Sequence, residues 1–201
     1  MLSLAQPELE VISSDKIINM HKKIISPEEP STSSGYRLGI DIGGSKLKAV
    51  LLNRADKVVD EYLLATPKDS LNHLIIMIKA AVEPLLDKAK QDGMTIDSLG
   101  IGIAGTLDEN REKILYSPNL EIVNNAKILD KLRDELSWPW PMLMDNDANC
   151  FTRGEALLGA GANLENVYGI TIGTGIGGGW WYNGEIYAGA SGAANQLSDM
   201  L

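Results

Sequence analysis

LGIDIGGSK, Leu38 to Lys46, runs an apolar strand into a carboxylate, two adjacent glycines, a hydroxyl and an ammonium, and the reading of that order of groups decides the fold. Glycine lets the backbone approach a ligand closely and adopt positive φ, so successive peptide N–H groups can converge on an anion. Asp41, Gly43, Gly44, Ser45 and Lys46 therefore suit a nucleotide phosphate and its metal. The N–H groups and Lys46 would serve the oxygens, and Asp41 would reach Mg2+ through water. The same residues also suit a β-hairpin turn with a solvated Asp. A Walker loop is excluded, because its Gly-x-x-x-x-Gly-Lys spacing is absent.

A second stretch has the same design. YGITIGTGIGG again carries an apolar strand into glycines, with Gly173, Thr174, Gly175 and Gly177 at the turn. A dinucleotide fold would need a helix after such glycines, whereas WWYNGEIY reads as strand and hairpin. The two turns are better explained as two jaws on one polyphosphate. Between them lies MDNDANC, Met144 to Cys150. Phosphoryl transfer to an alcohol needs a base within reach of the hydroxyl and groups that fix it, and Asp145, Asn146 and Asp147 supply both. An Asp or Asn capping a helix is the other reading, and the two are compatible.

Working outward, residues 1–36 include SPEEPSTSSG and read as a flexible tail, with a helix around Ser14–Ile24 but no second helix to make a DNA-binding head. From Tyr36, three short apolar runs predict a strand meander. Asp69 is expected to cap a helix in which Leu71, Leu74, Ile75, Ile78, Val82 and Leu85 recur at helical spacing, with Pro84 inside and Gly93 as its stop. SLGIGIAG and KILYS read as strands, NNAKILDKLRDELS as an amphipathic helix, and Ala148–Leu158 as another. Strands alternating with helices predict an α/β fold. Trp138, Trp140, Trp180 and Trp181 are expected mainly in cores, and Cys150 as a buried thiol.

The composition excludes several classes. Eighteen Lys and Arg against 27 Asp and Glu give a formal charge of −9, the wrong sign for a phosphate-backbone binder, so no nucleic-acid partner is expected. One cysteine cannot close an intrachain disulfide, and no apolar stretch has the length of a membrane span. The expectation is a cytoplasmic chain without a membrane partner.

GIDIGGSK, GIGIAGTLDENREKILYSPNL, MDNDANC and GITIGTGIGGGW, in that order, resemble the ROK family of sugar kinases and sugar-responsive repressors from about Arg37 to Met200. The resemblance implies an actin-like ATPase (ribonuclease H-like) fold, divided as tail 1–36, first α/β lobe 37–140 and the start of a second lobe at 141–201. It implies that both glycine turns hold ATP phosphates, that Gly105 and Asn119 border the sugar, that Asn146 orients the acceptor hydroxyl and that Asp147 is the general base. Where the family has Glu and His toward its sugar, this sequence aligns Gln196 and Asp199. Gln196 can still bond a hydroxyl, without charge assistance, and no zinc site is expected from His21, His73 and Cys150.

The family's chain continues past this point, so the second lobe is expected to be incomplete, with one strand face uncovered. That implies self-association or a complementary C-terminal chain. The expected function is ATP-dependent phosphorylation of a hexose or N-acylhexosamine hydroxyl. The alternative is a noncatalytic sugar-binding regulator or pseudokinase acting with a partner chain.

Overall fold

The computed structural model describes residues 35–173 and 175–189, all of which fall in one compact unit, Ser33–Leu201. The expected tail and its helix over Ser14–Ile24 lie outside the described residues.

β1 (Tyr36–Ile42), β2 (Lys46–Leu52) and β3 (Val58–Ala65) form the antiparallel meander. Helix α1 (Leu71–Gln91) then crosses back, and β4 (Ile96–Ile103) pairs parallel to β1. A small hairpin follows, β5 (Thr106–Leu107) with β6 (Ile114–Tyr116). After it come a 3-10 turn at Glu121–Val123, helix α2 (Ile128–Leu136) and β7 (Met142–Asn146), which lies parallel to β4. The resulting five-stranded sheet has the order β3-β2-β1-β4-β7. Leu38, Ile40 and Ile42 of β1 and Leu47, Ala49 and Leu51 of β2 are buried with Leu74, Ile78, Val82 and Leu85 of α1 in one continuous core. Each of the Leu, Ile and Val side chains contributes on the order of 1.5–3 kcal/mol by leaving water.

Helix α1 follows the predicted apolar spacing, but its cap is Ser70 and not Asp69. Ser70 has the extended backbone of a cap, and its hydroxyl accepts the His73 N–H at 3.2 Å. Asp69, one residue too early to reach that amide, instead meets the His73 ring at 2.8 Å. The helix runs through Pro84 unbroken, and Gly93 follows its end with φ +68°.

Helix α3 (Asp147–Leu158) packs against β8 (Asn166–Ile172) and β9 (Ile176–Tyr182), which with β10 (Glu185–Ile186) form a second, three-stranded antiparallel sheet. The first sheet extends through Asn146, past the division expected at residues 140/141, because β7 pairs with β4. Trp138 and Trp181 are buried, the latter with Ala156 and Ile186. Trp140 is 38% exposed, against the core placement expected for it, because it lies outside the first core and meets it only through the edge of Trp138. On β8 the small face turns inward while Tyr168, Ile170 and Ile172 are exposed, Ile172 at 82%. Among the described residues, no helix is long and apolar enough to cross a membrane.

The inward face of this sheet is built of glycines because α3 lies so close. A Cβ on Gly169 would run into Thr152, and one on Gly179 would come within 2.5 Å of Thr152 Oγ1 and 2.9 Å of the Ala148 carbonyl. Gly169→Ala is therefore expected to destabilise the fold by about 1–3 kcal/mol. In urea melts, Thr152→Ala combined with it should recover part of that loss by removing the obstructing hydroxyl.

Candidate active site

The carboxyl ends of β1, β4 and β7 lie side by side, with Asp41 opposite Gly102 and Gly102 opposite Asp145 in the parallel register. Ligand sites of open parallel sheets form at such ends. Gly102 leaves the middle of the row bare. A Cβ there would touch the Cys150 side chain at 3.5 Å and Asp147 Cα at 3.7 Å, so the absence of one lets the first turn of α3 settle onto the sheet.

The three polar residues of MDNDANC separate into distinct roles. Asp145 is 5% exposed and saturated with donors. Its carboxylate accepts the Asn146 N–H at 2.8 Å, the Asn149 amide at 3.1 Å and Arg153 Nη2 at 2.8 Å, with Arg111 Nη1 at 3.5 Å. A carboxylate so occupied has nothing left for a substrate hydroxyl. Asn146 is the N-cap of α3. Its Oδ1 accepts from the Ala148 and Asn149 amides at 2.9 and 3.2 Å, while its Nδ2 donates to the Gly105 carbonyl at 3.0 Å.

Asp147, half-buried at the first position of the helix, is within hydrogen-bonding reach of the Asn146 side chain and accepts the Ala148 N–H at 2.9 Å. Burial raises its pKa against the pull of that amide. Asp41 is also raised, first by burial and then by the negative charge of Asp147, with Lys48 opposing. Asp41 keeps an open side to solvent, and the coupling shows that the two carboxylates share one neighbourhood. Cys150 beside them is only partly buried, and its thiol is pushed up to about 12, chiefly by burial, which keeps it protonated and unreactive.

The first glycine turn is a hairpin. Gly43 donates its N–H to the Lys46 carbonyl at 3.0 Å, and Thr66 latches the turn through Oγ1 to the Gly43 carbonyl (2.8 Å) and N–H to the Ser45 carbonyl (3.1 Å). Neither Gly43 nor Gly44 has positive φ. The N–H groups of Gly44 and Ser45 have no backbone acceptor in this turn. Gly105 is different, with φ +149°, a conformation that L side chains rarely adopt, and its Cβ position lies 2.6 Å from the Tyr116 carbonyl. Ser117 ties that loop to the next by donating Oγ to the Ala104 carbonyl at 2.6 Å, which brings Asn119 against Gly44. A cavity of about 250 Å3 flanks Asn119, lined by Lys68 and the segment 118–122.

At the second turn, Gly173 and Gly175 have open space around their Cβ positions, whereas a Cβ on Gly177 would lie 2.6 Å from Thr171 Oγ1 and 2.9 Å from Ala148 Cβ, so its bareness serves the packing of α3. Thr174 and Gln196 lie outside the described residues. The structure thus brings Asp41, Gly43, Gly44, Ser45, Gly105, Asn119, Asn146 and Asp147 together, while Lys46 is exposed at the start of β2. Sequence reasoning missed Thr66, Arg111, Ser117 and Arg153. Each acts through a partner distant in the chain or hidden in a loop, and no local pattern announces it.

Residues 37–198 match the ROK family. The chain is 31% identical over 166 residues to a glucokinase of Halalkalibacterium halodurans, covering 82% of this chain and 49% of that one. It is 32% identical over 164 residues to an N-acetyl-D-glucosamine kinase of Mannheimia succiniciproducens, covering 81% and 51%. A ROK family glucokinase from Streptomyces griseus, solved in complex with glucose and AMPPNP, superposes with a TM-score of 0.71 at 31% identity over 81% of this chain and 49% of that one. The fold is therefore the actin-like ATPase fold of the ROK sugar kinases, and the chain spans about half the length of the curated relatives it matches.

The raised carboxylates carry a stability signature. Asp147 holds its proton more tightly folded than unfolded, so its contribution is fully present below the ordinary value of 3.8 and is lost as pH rises through the folded value. Asp147→Asn is expected to be more stable than wild type at pH 7 by on the order of 1 kcal/mol. Urea melts across a pH series should show the difference closing as pH falls to 3.8 and below.

Proposed function

This chain belongs to the ROK family, and from that premise we propose that it phosphorylates a hydroxyl of a hexose or N-acylhexosamine with ATP. The observation that carries the reading is the contrast inside one tripeptide: Asp145 is saturated by donors, while Asp147 keeps free lone pairs and a raised proton affinity beside the strand ends. A base needs both properties.

In the proposed reaction, Asp147 takes the proton of the acceptor hydroxyl as its oxygen attacks the γ-phosphorus in line. The bond from that phosphorus to the β–γ bridging oxygen breaks, ADP leaves, and the proton on Asp147 passes to solvent. Asn146 has one amide hydrogen committed to Gly105. Its second can fix the acceptor oxygen. The N–H groups of Gly44 and Ser45, and the open turn at Gly173 and Gly175, face the phosphates in this reading. Gly105 and Asn119 border the sugar.

The residues fit a magnesium ion only in one way. Among the described residues no three His, Cys, Asp or Glu side chains cluster to hold a metal, whereas Mg2+ typically arrives on nucleotide phosphates and keeps several waters. Asp41, solvent-facing on one side and with no side-chain hydrogen bond among the described residues, suits a contact through such a water. Bound there, the ion would neutralise charge on the transferred phosphoryl group.

Coupled ADP-release assays with glucose and N-acetylglucosamine test the proposal. The expected outcome is sugar-dependent ADP release that falls by about 10²-fold or more in Asp147→Asn. Release indifferent to that substitution rejects Asp147 as the base.

A further inference from the structure

Gly44 presents a puzzle that ligand approach alone does not solve. Its backbone lies outside the positive-φ region, so its conformation suits any residue. What forbids a side chain is a neighbour: a Cβ on Gly44 would lie 2.8 Å from Asn119 Cβ, 3.1 Å from its carbonyl oxygen and 3.6 Å from its carbonyl carbon. None of these is the far end of a flexible side chain, so no rotamer change relieves the clash. We infer that Gly44 is a positioning residue for the acceptor sugar: its missing side chain seats Asn119 against the phosphate turn and sets the sugar wall relative to the transferred phosphoryl group. The inference rests on the kinase reading above and deepens it.

The two loops are not equally able to yield. The turn at residues 43–46 is pinned by Gly43 N–H to Lys46 and by both bonds from Thr66. Asn119 makes no hydrogen bond among the described residues, and it borders the cavity of about 250 Å3. The residues on either side are fixed, Ser117 by Ala104 and Asn124 and Leu120 by burial at 1% exposure. A methyl on Gly44 therefore pushes Asn119 toward the cavity and leaves the turn in place. The defect falls on the sugar.

The opposing explanation, that Gly44 is glycine so that phosphate can come close, places the defect on ATP. Steady-state kinetics of wild type and Gly44→Ala with glucose and ATP separate the two. The expected result is a rise of about tenfold in the KM for glucose, with the KM for ATP changed less than about twofold. A rise in the KM for ATP with the KM for glucose unchanged overturns the inference. A wild-type chain that phosphorylates no sugar defeats the kinase reading itself, visible in the reference and not in the variant, and the acceptor role falls with it.

A stability cycle tests the contact independently of turnover. Gly44→Ala should lower Tm by about 5 °C, and the loss should shrink by at least half when Asn119→Gly is also present, because the nearest obstructing atom is then gone. If Gly44→Ala alone does not fold, the double variant should. Equal losses in both backgrounds, or a double variant no better folded than the single, overturn the proposal.

Discussion

A carboxylate taken out of water must be met by donors or it destabilises the fold by several kcal/mol, and Asp145 is met from three directions. The backbone of Asn146 reaches it from β7, Asn149 and Arg153 reach it from α3, and Arg111 reaches it from the hairpin between β5 and β6. That hairpin is shaped for the task. Asp108 accepts the N–H groups of Glu112 and Lys113 at 2.8 and 2.9 Å, and Arg111 takes φ +56° to turn its chain. Sheet, helix and hairpin are thereby fixed to one another around a single charge. The helix that starts at Asp147 cannot rotate without breaking those bonds, so the orientation of the free carboxylate is set by the bound one.

Glycine serves three different needs within this short chain. At Gly105 the backbone conformation requires it; at Gly169 and Gly179 the close approach of Thr152 does; at Gly44 the approach of Asn119 does. At Gly173 and Gly175, as at Gly100 and Gly154, a Cβ would meet open space, and nothing in the fold asks for glycine there. A glycine-rich run is therefore not one signal. Gly173 and Gly175 are exposed, whereas Gly177 and Gly179 lie on the floor on which α3 rests, so one glycine-rich run carries both open and packed positions.

These distinctions mark what was legible in the sequence. The core face of α1 was readable because Leu74, Ile78, Val82 and Leu85 recur at the helical period, and period is a local property. Its cap was misplaced by one residue because Asp69 and Ser70 are both good caps and only the backbone angle chooses between them. The place of β7 at the edge of the first sheet was not readable, since parallel pairing joins Ile101 to Met144 across distant chain and leaves no mark on either segment alone. The DND tripeptide was visible as a site, yet its sorting into a saturated and a free carboxylate depends on Arg111 and Arg153. Arginines at such distances look like any solvated charge.

Holding two carboxylates at one end of a sheet has a physical consequence for the stability of the fold. Asp41 and Asp147 are both raised by burial, and the charge of Asp147 opposes ionisation of Asp41. Negative charge on the pair is therefore held less favourably in the folded chain than in the unfolded one. Removing that charge would strengthen the fold and, on the kinase reading proposed above, erase the base, which is the familiar conflict between stability and activity. Any ligand that brings positive charge between the two relieves the same repulsion, and because relief is greater in the folded chain than in the unfolded one, such a ligand must stabilise the fold as it binds. The cost of burying Asp147 beside Asp41 and the gain on binding such a ligand are thus two sides of one electrostatic interaction.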